Sequence, residues 1–425
     1  MKAGLLRDFA PYARLLSARG AGLYFASQLL TLVGAAVFEL GAIWFTLRVT
    51  ESPFVTAVVA ASAFLPALVS PFAGLVSDLG SPKRVMVAVD VMRSLLAVAL
   101  GVFVWLAGFP PAAVIVVVSL VLGLLTRMYV PARFAWLGSG VPDDTLAHAN
   151  ALSTIVSNLR LPLGGLVAAA FFALDDPALV FLSSGLFYAV SWALLLGLPT
   201  HQVERSGDGA RRRGRGLDRA PQVLKDPRLS ASLGFVAGSN VLLVGAWIVG
   251  SPILAERIAP GSGLYAFMQA AYGLGVVAGS LLVASLSARS VAMRRVISGG
   301  YVVRALAFVG LALAGSRLEA TVGALLLGLA TPALTVTFPT VLQRLSRVIG
   351  SAGTIFGLYG LANAGAISVS IMVYGLVATY LSPPGMFIVP AVASLVAAVL
   401  VYRLVVLRFV SDSGESSVSV SAEKP

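Results

Sequence analysis

Twelve apolar runs, each long enough to cross a lipid bilayer, constrain this chain more than any other feature. They fall at about 20–47, 54–77, 84–107, 111–132, 147–173 and 177–198, then, after a polar break, at about 231–253, 263–286, 293–315, 319–342, 350–379 and 384–407. About 20 residues rising 1.5 Å each match a hydrocarbon core of about 30 Å. Lipid offers no partner for a backbone N–H or C=O, so each run must close its hydrogen bonds within itself as a helix. Composition agrees: of 425 residues, 58% are hydrophobic and only 11% charged, against about 25% charge in soluble domains. Soluble enzymes, nucleic-acid-binding domains and disordered chains are excluded.

The predicted fold is an all-α membrane protein of twelve transmembrane helices in two pseudo-symmetric six-helix bundles. The expected organisation is a cytoplasmic N-terminus at 1–19, an N-terminal bundle at 20–198, a basic cytoplasmic linker at 199–230, a C-terminal bundle at 231–407 and a disordered cytoplasmic tail at 408–425. The first run contains Glu39 and lacks a small-residue cleavage site, so it reads as a retained helix.

The net charge of +12 is a topology signal. With the N-terminus inside, most of the 30 Lys and Arg residues fall in cytoplasmic segments, the linker 199–230 above all, and only Arg48, Arg257 and Arg317 lie in outer loops. Basic residues concentrate on the cytoplasmic side of short loops, which predicts a multi-pass cell-membrane protein with both termini in the cytoplasm. Arg211 to Arg219 could also meet anionic lipid headgroups.

The two halves repeat. Lys83-Arg84-Val85 through Val91-Met92-Arg93 superimposes on Arg294-Arg295-Val296 through Val302-Val303-Arg304 at an offset of 211, and Leu122-Gly123-Leu124 on Leu327-Gly328-Leu329 at 205. Such duplication suits a two-bundle transporter.

Between the second and third runs stands Gly74-Leu75-Val76-Ser77-Asp78-Leu79-Gly80-Ser81-Pro82-Lys83-Arg84. It resembles the signature loop of the major facilitator superfamily, with one residue more before the basic pair. Phe64-Leu65-Pro66, Pro71-Phe72-Ala73-Gly74, Asp90 with Arg93, Pro131-Ala132-Arg133 and Ala149-Asn150-Ala151-Leu152 are similar to the branch that includes the enterobactin exporter and macrolide-efflux-like proteins. The likeness is architectural over the whole chain and dense over about 25–165. It implies alternating-access transport and a gating function for Gly74, Asp78, Gly80, Lys83, Arg84, Asp90, Arg93 and Arg133. A carboxylate at Asp78 can accept from a helix N-terminus and pair with a guanidinium when the bundles close. Asp78 is expected near Arg133 and the start of the eleventh span at Gly350. Its alternative is simply to fix the turn between the second and third spans.

Within the spans, Glu39 is the sharpest residue, because a carboxylate in apolar surroundings must face a cavity or a partner. Gln28, Thr31, Ala35, Glu39, Ala42 and Thr46 share one face of the first helix. That stripe should line the cavity between the bundles. Three readings stand for Glu39: a proton carrier, a recognition group for a cationic substrate, or half of a structural ion pair. Arg127 and Arg160 are its candidate partners. Asn150, Ser153, Ser157 and Arg160 form a polar stripe on the fifth helix, with Asn158 beside them. Leu161-Pro162-Leu163-Gly164-Gly165 is similar in part to the Gly-Pro and Gly-Gly motif of drug–proton exchangers.

The second half offers Asn240, Tyr265, Gln269, Tyr272, Tyr359 and Asn363 at helical spacings. Aromatic and amide groups without fixed charge suit amphipathic substrates, and core packing accounts for such stripes equally well. The chain has no cysteine and two histidines, His148 and His201, so neither a metal nor any other cofactor is expected. No Walker-type segment and no catalytic triad is present, and an enzyme is not expected.

The leading expectation is a monomeric, H+-coupled secondary transporter exporting amphipathic small molecules, drug-like or siderophore-like. Its partners would be that substrate, H+ and the lipid bilayer, with no nucleic acid. The alternatives are an importer or facilitator of a small anionic metabolite, recognised by Arg160 and Arg127, and a non-transporting sensor or scaffold.

Overall fold

The computed structural model describes residues 15, 20–69, 81–141, 145–199, 224–261, 263–288, 293–339, 342 and 352–401. Most of the linker, the terminal segments, and Gly74, Asp78, Gly80 and Gly350 lie outside the described residues, so the expected contacts of Asp78 do as well.

The first half comprises α1 (Ala21–Thr50), α2 (Pro53–Phe64), α3 (Pro82–Ala107), α4 (Ala112–Gly140), α5 (Leu146–Asn158), α6 (Arg160–Phe172) and α7 (Pro177–Leu196). The second comprises α8 (Pro227–Ile258), α9 (Leu264–Ala288), α10 (Met293–Leu313), α11 (Arg317–Ala330), α12 (Pro332–Thr335), α13 (Ala352–Val377) and α14 (Pro383–Leu400). Eleven described spans are long and apolar enough to cross a membrane, with α5–α6 and α11–α12 each counting as one; the twelfth, Pro53–Leu68, is shorter. Among the described residues there is no strand.

Local chemistry sets the boundaries. Ser52 and Asp176 cap α2 and α7, each followed by a proline at the first helical position; Ser52 accepts from Val55 N and Asp176 from Ala178 N at 2.8 Å, satisfying donors that a helix start leaves open. Ser316 and Glu319 form a reciprocal capping box on α11. Prolines account for the two interruptions. Pro162 and Pro332 have no N–H to give to the preceding turn, and the helix breaks at Leu159 and at Thr331.

Burial is inverted relative to a soluble protein. Leu95, Phe103, Trp105, Leu281, Leu306, Ile388 and Val392 are exposed, a surface that lipid solvates and water would not. Inside each half the same pairings recur. The third span packs on the sixth (α3 with α7, α10 with α14), the first on the fifth (α1 with α6, α8 with α13), and the second on the fourth (α2 with α4, α9 with α11). This pseudo-symmetry realises the internal repeat.

The halves meet along two pairs, α6 with α9 and α2 with α13. Small residues allow the close approach. A Cβ at Gly375 would lie 2.1 Å from Ala57 Cβ, and one at Gly165 would lie 2.7 Å from the Ala270 N. The contacts concentrate at the end where α1 stops and α2 begins. There Arg48 pairs with Asp175 and reaches Glu256 of the other half at 3.8 Å, and Trp44, Phe172 and Tyr265 cluster with centroids 5.8, 5.7 and 6.5 Å apart. Along α13 toward the other end, among the described residues a Cβ at Gly365 would touch only Leu68, and one at Gly360 or Gly357 would meet nothing within 4 Å. The halves are closed at the Arg48 end.

Candidate functional site

The pairing of α1 against α6 brings Glu39 to Arg160. Their carboxylate and guanidinium form an ion pair, with the two side chains 38% and 27% exposed. Arg160 stands at the α5–α6 break, one turn before the Gly164 that lets α6 lie against Ala36 of α1. Arg127 of α4 faces the same space, among the described residues without a contact ion pair, and its Nε is buried there without a hydrogen bond.

All three line a cavity of about 230 Å³. Thr31, Ala35, Glu39 and Ala42 supply the α1 wall, as the small and polar stripe predicts; Gln28 and Thr46 do not line it. Val59 and Phe64 of α2, and Ser119, Gly123, Thr126, Arg127, Val130 and Arg133 of α4, complete most of the rest. Every residue lining this cavity belongs to the first half.

Four arginines line this cavity, Arg93, Arg127, Arg133 and Arg160, against one carboxylate, Glu39. Behind Arg93 lies a fully buried Asp90. Arg93 donates to Asp90 at 3.1 Å and to Thr126 at 2.9 Å; Asp90 also accepts from Thr31 at 2.9 Å and Ser191 at 2.8 Å. The Arg93 guanidinium lies 4.9 Å from the Tyr129 ring centroid and 5.6 Å from that of Tyr188. Side chains of α1, α3, α4 and α7 thus satisfy one buried charge pair, which ties four helices together. Gln28 donates to Tyr129 at 2.8 Å and accepts from Arg133 at 3.5 Å.

Among the remaining gating candidates, Lys83 donates to the Leu196 carbonyl at 2.8 Å, anchoring α3 to the C-terminus of α7, while Arg84 is exposed. Asn158 ends α5 and does not line the cavity. The second-half set is spread over several contacts. Asn240 donates to Asn363 at 2.9 Å, joining α8 to α13; Gln269 donates to Ser251 at 3.3 Å; Tyr272 stacks on Trp247 and its hydroxyl lies 3.3 Å from that of Thr331. Tyr265 is buried in the Trp44 stack, and Tyr359 packs partly buried against the core. None of these lines the cavity. Sequence reasoning passed over Ser119, Thr126 and Tyr129; the Ser119, Gly123, Thr126 and Val130 spacing on α4 is the signal that could have found that wall.

No curated protein matches the sequence. Similar solved structures include a single-residue variant of the nucleoside transporter NupG (TM-score 0.74, 14% identity, covering 90% of this chain and 98% of that one). A peptide transporter, POT, in complex with alafosfalin has TM-score 0.67 and 13% identity, covering 91% and 94%. A bacterial homologue of the human lysosomal transporter Spinster, in an inward-facing and unoccupied conformation, has TM-score 0.67 and 13% identity, covering 93% and 98%. At such identities the likeness establishes the fold. The match to the family description itself runs over residues 21–364, through both repeats, and this chain belongs to the Major Facilitator Superfamily.

Proposed function

We propose that the protein is an H+-coupled secondary transporter that exports amphipathic small molecules, drug-like or siderophore-like, across the cell membrane by alternating access. The single observation that carries this reading is the Glu39–Arg160 ion pair on the wall of an otherwise largely apolar cavity. Protonation of Glu39 removes its charge and frees the Arg160 guanidinium; deprotonation restores the pair. A group that alternates between a proton and an internal cation links the proton's electrochemical gradient to which conformation is favoured, provided the pair is tighter in one state than in the other. Leu32, Phe38, Ile43, Val59 and Phe64 offer apolar area to the body of the substrate. The sequence's resemblance to the enterobactin-exporter and macrolide-efflux-like branch supports the outward direction. With both termini cytoplasmic, the Arg48 end faces outward and the cavity is reached from the cytoplasm, the side from which an exporter loads.

The excess of arginines over carboxylates in the same cavity favours a second reading, import or facilitated passage of a small anionic metabolite. Flux in proteoliposomes separates the two. Efflux driven by an inward H+ gradient and lost in Glu39→Gln supports the first. Gradient-independent entry of an organic anion, kept in Glu39→Gln and lost in Arg127→Gln, overturns it in favour of the second.

A further inference from the structure

Arg93 and Arg304 occupy equivalent places in the two halves. Each is 11 residues into its helix, α3 or α10, roughly 16 Å from the helix start. Each donates to a threonine on the fourth span of its own half: Arg93 to Thr126 at 2.9 Å and Arg304 to Thr331 at 3.4 Å, two threonines related by the repeat offset of 205. The counter-ion is where the halves part. The residue corresponding to Asp90 is Tyr301, whose hydroxyl lies 2.6 Å from that of Ser239.

Among the described residues no other carboxylate pairs with Arg304. Between residues 257 and 411 the only acidic residue is Glu319, which caps the start of α11 by accepting from the Gly315 and Ser316 backbone. Glu256 stands at the end of α8 beside Arg48, and Asp226 precedes the same helix. All three lie at helix ends, more than a helical turn in depth from the middle of α10. Arg304 is nevertheless 8% exposed, and its Nε is buried without a hydrogen-bond partner. A guanidinium has five N–H donors. A charge buried at this depth with one long hydrogen bond is costly, and one whose counter-ion is missing is more so. Solvation by hydroxyls or water would fill donors but leave the charge.

We infer that Arg304, with the hydroxyl of Tyr272 beside it, forms a binding site for a small monovalent anion, which does in the second half what Asp90 does in the first. The chemistry fits a chloride ion or the carboxylate of a small organic anion. Thr331, at the break after α11, gives its own proton to the Leu327 carbonyl at 2.9 Å, and the Tyr272 hydroxyl of α9 lies 3.3 Å from its oxygen on the Arg304 side. The site lies on other helices than Glu39 and does not depend on proton coupling.

The test is thermal unfolding of the purified full-length protein in detergent, titrated with sodium chloride or sodium formate at constant ionic strength against the bulky anion of sodium HEPES. The wild type should show a saturable rise of a few degrees in Tm, as a ligand bound only by the folded state produces. Arg304→Gln should abolish the rise. Tyr301→Asp, which supplies the built-in carboxylate of the first half, should also abolish it while raising the anion-free Tm, and this variant keeps the test decisive if Arg304→Gln does not fold. Arg317→Gln, at an exposed arginine, should keep the rise. A response to chloride identifies an inorganic ion, and a response to formate alone identifies a carboxylate. Absence of any anion-specific rise in the wild type overturns the site, as does a rise that survives in Arg304→Gln or in Tyr301→Asp, or one that is lost in Arg317→Gln.

Discussion

Glu39 pairs with Arg160 across the α1–α6 contact, although Arg127 lines the same cavity. One guanidinium is therefore paired in contact with the carboxylate, and among the described residues its neighbour is not. This asymmetry divides the consequences of changing each residue.

Glu39→Gln keeps the shape of the α1 wall and removes its charge. Flux that depends on an imposed pH gradient should be lost, while binding of substrate, followed by thermal stabilisation of the purified protein, persists. Because both side chains are partly exposed, the stability cost should be small, about 1 kcal/mol or less, as for other solvent-screened pairs.

Arg127→Gln should weaken binding of anionic amphiphiles about tenfold, equivalent to about 1.4 kcal/mol, and leave neutral ones unchanged. Titration of a matched pair of ligands, a carboxylic acid and its amide, measures the difference. Equal affinities for both ligands in the wild type would exclude Arg127 as an anion-recognition group.

Asp90→Asn leaves the Arg93 charge buried without its counter-ion. Removing one partner of a buried pair typically costs about 3–5 kcal/mol, so the variant should unfold at a markedly lower temperature. Combining it with Arg93→Gln removes the stranded charge and should recover part of the loss, whatever happens to transport. A double-mutant cycle on Tm reads the coupling directly.

Gly375→Val and Gly165→Val should wedge the halves apart at the Arg48 end, because even a Cβ at these positions meets Ala57 or the α9 backbone well inside contact distance. The chain has no native cysteine, so spin labels introduced through Val49→Cys and Arg257→Cys report this end alone. Their distance distribution should lengthen in either valine variant, and an unchanged distribution would show that these helix crossings do not hold the end closed.

How much of this could be read from the residues depends on the range of the force involved. Apolar length fixed the spans, because that effect acts within one or two helical turns. The stripe on α1 predicted its cavity face for the same reason. The α4 wall was legible only in part: Arg127 drew notice as a charge, whereas Ser119, Thr126 and Tyr129 are ordinary in an apolar helix until Arg93 and Gln28 bond to two of them. Asn158 adjoined a polar stripe yet does not line the cavity, since the break at Leu159 re-aims the helix beyond it.

The sequence by itself determined that the chain spans a membrane, that its two halves are copies, and that the second copy holds an arginine with no acid near it in the chain. These follow from hydrophobicity and from counting, which need no coordinates. Only the tertiary structure decided that Glu39 takes Arg160 over Arg127, and that Asp90 and Arg93 pin four helices together. Each of those depends on which helices are brought into contact by close packing of small residues, and a pairing between residues more than a hundred positions apart leaves no trace in local periodicity.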